Sequence, residues 1–181
     1  MNLPNKLTLF RVILVPLFLI FLLYDVAGFD WLALITFVVA SLTDLIDGKI
    51  ARKYNLVTNF GKFADPLADK LLVSAALIGF CAMGRLNPWF VFIIIAREFI
   101  VTGLRIVAIS SGKVIAAGMS GKIKTVLQMV GLTIMLFDEI YMIKIFGTSL
   151  SYVVMIAAVI MTVYSGCEYI IQNKSLINYN D

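Results

Sequence analysis

The stretch WLALITFVVASLTDLIDGKIAR, residues 31–52, decides the fold. Its wholly apolar part, Trp31 to Thr43, falls short of the roughly 20 residues a helix needs to cross a hydrocarbon core. The segment spans only as one helix continued to Arg52, which at 1.5 Å per residue is about 33 Å long. That reading carries Asp44 and Asp47 on the end of a membrane helix. A carboxylate near the centre of such a helix costs about 2.5–3.5 kcal/mol on insertion scales, so it is kept only with compensation. Two more, Asp65 and Asp69, stand at the start of the next apolar run. Clustered carboxylates normally find their compensation in metal cations.

Composition agrees with a membrane protein. Of 181 residues, 61% are hydrophobic, and the mean hydropathy is +0.99, well above a soluble domain of this size. The length fits one domain, residues 1–181, whose core is the interior of a helix bundle. Fifteen Lys and Arg against eleven Asp and Glu give +4, an excess that suits anionic lipid and does not point to nucleic acid. Cys81 and Cys167 both lie in apolar runs and read as small hydrophobes without a disulfide. There is no histidine, which removes the commonest acid/base side chain and the commonest nitrogen ligand for metals. The opening MNLPNKLTLFRVILVP has no small-residue cleavage site after it and reads as a retained first helix.

Six apolar segments fit spanning helices: about residues 8–25, 31–52, 62–83, 88–110, 120–137 and 146–170. The expected architecture is an all-α membrane protein, six transmembrane helices in a bundle with a cytoplasm-facing active-site cavity. Lys6, Arg11, Lys49, Arg52, Lys53, Lys62, Lys113, Lys122, Lys124 and Lys174 gather at the ends shared by the termini and the even loops. By the positive-inside rule both termini are cytoplasmic, with Trp31 and Trp89 at the outer interface. Ala75-x-x-x-Gly79 is a small-residue spacing that permits close helix contact.

At 100° per residue Asp44, Asp47 and Ala51 share one stripe, with Gly48 beside them, and Gly61, Asp65 and Asp69 form another. Minimal side chains next to carboxylates leave a notch where a ligand reaches the backbone. Pro66 disfavours a helical Asp65, so the third helix is expected to start or kink there. A short hairpin through Tyr54 to Asn59 turns the two stripes towards each other. With only oxygen ligands at hand, Mg²⁺ or Mn²⁺ fits better than zinc, and two such ions offset four charges and clamp a pyrophosphate. Arg52, about two turns beyond Asp44, holds a phosphate or pairs with an aspartate. The plainer readings are an interfacial carboxylate at Asp44, ordinary positive-inside charges at Lys49 and Lys53, or a cation pathway lined by the aspartates.

The run Asp44-Leu-Ile-Asp47-Gly48-Lys-Ile-Ala51-Arg52, eight residues, then Gly61-Lys-Phe-Ala-Asp65-Pro-Leu-Ala-Asp69 resembles the signature of the CDP-alcohol phosphotransferases at all eight fixed positions and every spacing. Length and the six-helix layout extend the likeness over the whole chain. The resemblance implies transfer of a substituted phosphate from a CDP-linked donor to an alcohol, with release of CMP. It implies that Asp44, Asp47, Asp65 and Asp69 bind two divalent ions, and that Asp44, Asp47, Gly48, Ala51, Arg52 and Gly61 seat the nucleotide. It makes Asp69 the base for the attacking hydroxyl. A carboxylate is a weak base at neutral pH, so proximity and metal polarisation of the acceptor must carry much of that step. Family members are commonly homodimers, and the same is expected here.

Other residues must name the alcohol. Ala96-Arg97-Glu98-Phe99 and the following Thr102 and Arg105 put two guanidiniums and a carboxylate in the fourth apolar segment, with Arg97 about 13 Å in from Pro88. A buried arginine there must meet an anion. Gly121-Lys122-Ile-Lys124-Thr125 opens the fifth segment, where free amides and two lysines favour anions. Arg97, Arg105, Lys122 and Lys124 therefore suit an acceptor carrying its own phosphate. The alternatives are a structural pair of Arg97 or Arg105 with Glu98 or an aspartate, and positive-inside charge at the lysines. These runs, with Asn5-x-x-Thr8-x-x-Arg11, resemble the branch of the family that joins CDP-diacylglycerol and sn-glycerol 3-phosphate. Asn5 and Thr8 are then expected at nucleotide or lipid phosphate, or else form an amphipathic interfacial start. Rival readings are a family member with another acceptor (inositol phosphate, serine or phosphatidylglycerol) and a cation transporter. The latter leaves Gly48, Ala51 and Gly61 unexplained.

Overall fold

The computed structural model describes the backbone of residues 3–24, 26–53, 59–110, 118–141, 144–145 and 148–174, and the side chains of 5–24, 26–43, 67–68, 70–109, 118–138 and 149–174. Among the described residues six helices run in chain order: α1 (Leu3–Leu23), α2 (Phe29–Lys53), α3 (Asn59–Ala82), α4 (Pro88–Ser110), α5 (Met119–Tyr141) and α6 (Leu150–Gln172). A two-residue antiparallel ladder, β1 (Lys144–Ile145) with β2 (Thr148–Ser149), precedes α6. Each expected apolar segment contains a helix, the sixth starting at Leu150 after the ladder and not at residue 146, because Thr148 and Ser149 pair with Ile145 and Lys144. α2 is continuous from Phe29 to Lys53, so the acidic residues do ride on the end of the apolar run.

Three expectations are corrected. α3 begins at Asn59 and passes through Pro66 without interruption. The helix start lies seven residues before the proline, whose ring and missing N–H fall inside the helix. α5 does not stop at residue 137 but takes Asp138 into its last turn, where that side chain is buried. α1 begins at Leu3, ahead of the first wholly apolar residues, and carries Pro16 inside it.

The chain divides into two compact units, residues 1–85 with 133–143, and residues 86–132 with 144–181. In the first, α1 packs on both α2 and α3. Val15, Phe18 and Leu22 of α1, Ala33, Leu34, Phe37 and Ala40 of α2, and Leu72, Ala76, Leu77 and Phe80 of α3 are buried in this unit. The Phe18 and Phe37 rings lie 5.6 Å apart, and Phe21 stacks edge-on against Phe29 at 5.1 Å. Gly79 is where α3 meets α1: a Cβ there would come within 2.6 Å of Leu22 Cδ2. The Ala75-x-x-x-Gly79 face is thus used inside the chain. Gly79→Val is expected to cost about 1–3 kcal/mol through overpacking, read as a lower unfolding temperature in detergent.

In the second unit α4 packs on α6, with Phe90 against Tyr152 at 5.7 Å. Gly131 of α5 lies against Met155 of α6, and Gly166 against the Arg97 stem. Ser149 caps α6 by accepting from the Tyr152 N–H at 3.3 Å.

In both units large apolar side chains are exposed while several polar ones are buried in the apolar core. Ile13, Ile35, Phe99, Ile106, Val126 and Ile160 are exposed, while Thr8, Arg11, Lys124, Gln128, Ser151 and Thr162 are buried. Water would not tolerate that distribution, and lipid favours it. The hydroxyls of Thr36, Ser41, Thr43 and Thr162 donate to carbonyls one turn earlier, satisfying themselves without solvent. Among the described residues, two helical stretches, Asn5–Leu23 and Leu150–Gln172, are long and apolar enough to cross a bilayer.

Candidate active site

In the first unit the acidic motif is distributed over two adjoining helices. Asp44, Asp47, Gly48, Ala51 and Arg52 occupy the last three turns of α2, and Gly61, Asp65 and Asp69 the first three of α3. Their side chains lie outside the described residues, as does the Tyr54–Thr58 connection.

The neighbouring contacts bracket the axial register of these backbones. α1 and α2 are antiparallel, since Phe21 meets Phe29 and Phe18 meets Phe37. Counted from Phe18–Phe37, Arg11 stands level with Asp44, and counted from Phe21–Phe29, level with Val39, so Arg11 lies within about five residues' rise of the Asp44 level. Only five residues join α2 to α3, so α3 returns parallel to α1. Eleven residues back from Leu22 and from Gly79 are Arg11 and Ala68, beside Asp69. By the same register Thr8 stands near the levels of Asp47 and Asp65.

The polar face of α1 follows that register. Asn5, Thr8 and Arg11 recur every three residues and are buried, Arg11 completely, while Leu9, Phe10, Val12 and Ile13 are exposed. This overturns the interfacial reading of the first helix, in which the polar residues would face water. A guanidinium withdrawn from solvent and lipid alike belongs beside anions. The donor set fits hard cations on chemistry alone: four carboxylates in two helical stripes, and no histidine anywhere in the chain.

The second unit gathers the basic residues of α4 and α5. One oxygen of Glu98, Oε1, accepts from Arg97 Nη1 at 3.2 Å and from Lys124 Nζ. Arg97 Nη2 donates to Ser165 Oγ on α6 at 3.2 Å. Lys124 is buried, and Lys122 on the same helix is exposed. Arg105 lies over the ring of Tyr169, its Cζ 5.7 Å from the centroid, a cation–π contact. Ser120 donates to Glu168, tying the start of α5 to α6.

Among the described residues of this unit, four buried polar atoms have no hydrogen-bond partner: Arg97 Nε, Arg105 Nε, Gln128 Nε2 and Tyr169 Oη, all of which can donate. Gln128 and Tyr169 were not among the residues expected from sequence. Gln128 stands one turn after Lys124, a helical spacing that flags it in retrospect; Tyr169 is brought in by packing, which no spacing announces.

The chain belongs to the CDP-alcohol phosphatidyltransferase family, whose sequence profile matches residues 1–164. It is a transferase and a membrane protein. Among its relatives is the CDP-diacylglycerol–glycerol-3-phosphate 3-phosphatidyltransferase of Bacillus subtilis (strain 168), 46% identical over 187 residues and covering 95% of both chains. Proteins of the same name from Rickettsia felis (35% over 168 residues) and Shigella flexneri serotype 5b (37% over 175 residues) each cover 93% of this chain and 93% of their own.

Proposed function

We propose that this chain converts CDP-diacylglycerol and sn-glycerol 3-phosphate to phosphatidylglycerol phosphate and CMP. The observation that carries this is the likeness, over nearly the full length of both chains, to the Bacillus subtilis transferase bearing that name. The site supports it chemically.

Asp44, Asp47, Asp65 and Asp69 hold a pair of divalent ions, Mg²⁺ or Mn²⁺. When bound, these supply charge neutralisation on the diphosphate and on the departing CMP oxygen. Gly48, Ala51 and Gly61 leave room for the nucleotide against backbone, and Arg52, Asn5 and Thr8 hydrogen-bond its polar edge. Arg11 lends a buried positive charge near the levels of Asp44 and Asp69. The acceptor hydroxyl oxygen bonds to the phosphorus next to diacylglycerol, the P–O bond to CMP breaks, and Asp69 takes the hydroxyl proton. In the second unit Arg97, Arg105, Lys122 and Lys124 bind the acceptor's phosphate, with Gln128 and Tyr169 as further donors.

The protein crosses the cytoplasmic membrane six times, with both termini and the site on the cytoplasmic side, and works as a homodimer. The basic residues at the shared helix ends support that orientation.

The test compares acceptors. Protein purified in detergent is given CDP-diacylglycerol, Mg²⁺ and, in parallel, sn-glycerol 3-phosphate, inositol phosphate, serine or phosphatidylglycerol, and CMP release is followed. Release with glycerol 3-phosphate alone is expected; release with another acceptor only would reassign the substrate. Arg105→Ala is expected to raise the apparent KM for glycerol 3-phosphate by about tenfold or more, the scale of one charge-assisted hydrogen bond, with little change in that for CDP-diacylglycerol. A change confined to the CDP-lipid would move the acceptor site elsewhere.

A further inference from the structure

We infer that Tyr169 is a positioning residue for the acceptor: its ring holds the Arg105 guanidinium without cancelling that residue's charge. The inference rests on the proposed acceptor site and deepens it. Arg105 Cζ lies 5.7 Å from the centroid of the Tyr169 ring, within the range of a cation–π contact. Tyr169 is 6% exposed, and such a contact strengthens where water is excluded. The two helices deliver the pair in register. α4 and α6 run parallel, since Phe90 meets Tyr152 near their starts and Arg105 meets Tyr169 near their ends. The end of α6 is itself fastened at this residue. The Asn173 side chain donates to the Tyr169 carbonyl at 2.8 Å, and the Asn173 N–H reaches the same oxygen at 3.2 Å.

How a cation is held decides what it can still bind. Arg97 donates to the Glu98 carboxylate and to Ser165, so its charge is already met inside the unit. Arg105 is held differently. Among the described residues it forms no ion pair, and its Nε is buried with no hydrogen-bond partner. A carboxylate in the place of the ring would cancel the charge and accept those hydrogens. A π face draws and orients the cation while leaving both available. Arg105 therefore keeps its charge and donors for an anion that comes from outside, and a planar guanidinium suits the oxygens of a phosphate. Tyr169 Oη, also buried and without a partner, adds a neutral donor on the same ring. A ring that only filled space between α4 and α6 would be replaceable by any apolar side chain of similar bulk.

CMP-release assays over a range of glycerol 3-phosphate separate the ring from the hydroxyl. Tyr169→Phe keeps the ring and drops the hydroxyl; Tyr169→Leu drops both. The apparent KM for glycerol 3-phosphate should be about five- to tenfold higher in Tyr169→Leu than in Tyr169→Phe, the scale of a desolvated cation–π contact. The KM for CDP-diacylglycerol and kcat should change much less. In an Arg105→Ala background the two Tyr169 variants should share one KM, because the ring then has no cation to hold. Should Tyr169→Leu fail to fold, a trifluorinated phenylalanine at position 169 keeps the bulk of the ring, withdraws electrons from its face and should raise the KM over that of Tyr169→Phe. Equal KM values for the phenylalanine, leucine and fluorinated variants would overturn the inference. So would a leucine effect confined to kcat, or one that persists in Arg105→Ala; either makes Tyr169 a packing residue. Arg105→Ala with the wild-type KM for glycerol 3-phosphate would instead sink the acceptor assignment of Arg105, and the inference with it.

Discussion

Asp69→Asn abolishes CMP release, lowering turnover by about 10²–10⁴-fold, the range in which a positioned acid or base acts. The substitution preserves size and removes both the basicity and one metal-binding charge. It lies in the third turn of α3, one residue beyond the fully buried Ala68, so a polar side chain of equal volume leaves the packing on α1 intact. Single-turnover assays with saturating Mg²⁺ and glycerol 3-phosphate, paired with thermal unfolding in detergent, separate chemistry from folding. An asparagine variant that turns over at the wild-type rate would remove Asp69 as base.

Arg11→Leu has the second large effect. Arg11 is wholly buried on α1, and counting from the Phe18–Phe37 contact sets it at the level of Asp44 on α2. Leucine fills much of the volume but leaves the acidic stripes short of a positive charge. Removing one partner of a buried charged cluster costs about 3–5 kcal/mol, which corresponds to a loss of about 10²–10³-fold or more in kcat/KM for CDP-diacylglycerol. Arg11→Lys, which keeps the charge but not the planar fork, should recover part of it. Wild-type kinetics in Arg11→Leu would detach α1 from the site and invalidate the register argument.

The extent of what could be read from sequence follows the range of the forces involved. Helix positions were legible because apolar length is a local property, and α2 ran through Asp44 and Asp47 as its span required. The acidic motif was legible because its spacing is fixed by two helical stripes. Pro66 does not set the boundary, because α3 already starts at Asn59, seven residues earlier. The buried face of α1 was left open between two readings: Asn5, Thr8 and Arg11 look alike on an interfacial helix and on one wedged between α2 and α3. Packing alone tells them apart. Glu98 was visible as a residue and as a possible partner for Arg97, but its hold on Lys124 joins positions 26 apart in sequence and belongs to tertiary structure. The β1–β2 ladder had no signal in an apolar segment read as helix from residue 146.

The central claim is that the carboxylates of α2 and α3 bind divalent metal together with the nucleotide diphosphate. Titration of the detergent-purified protein with Mn²⁺, followed by electron paramagnetic resonance with and without CDP, tests it most directly. The account predicts about two bound ions per chain when CDP is present, as in two-metal phosphoryl-transfer sites, and their loss in Asp44→Asn. A wild-type protein that takes up neither Mn²⁺ nor CDP, or an Asp44→Asn variant that binds both as well as the wild type, would contradict it.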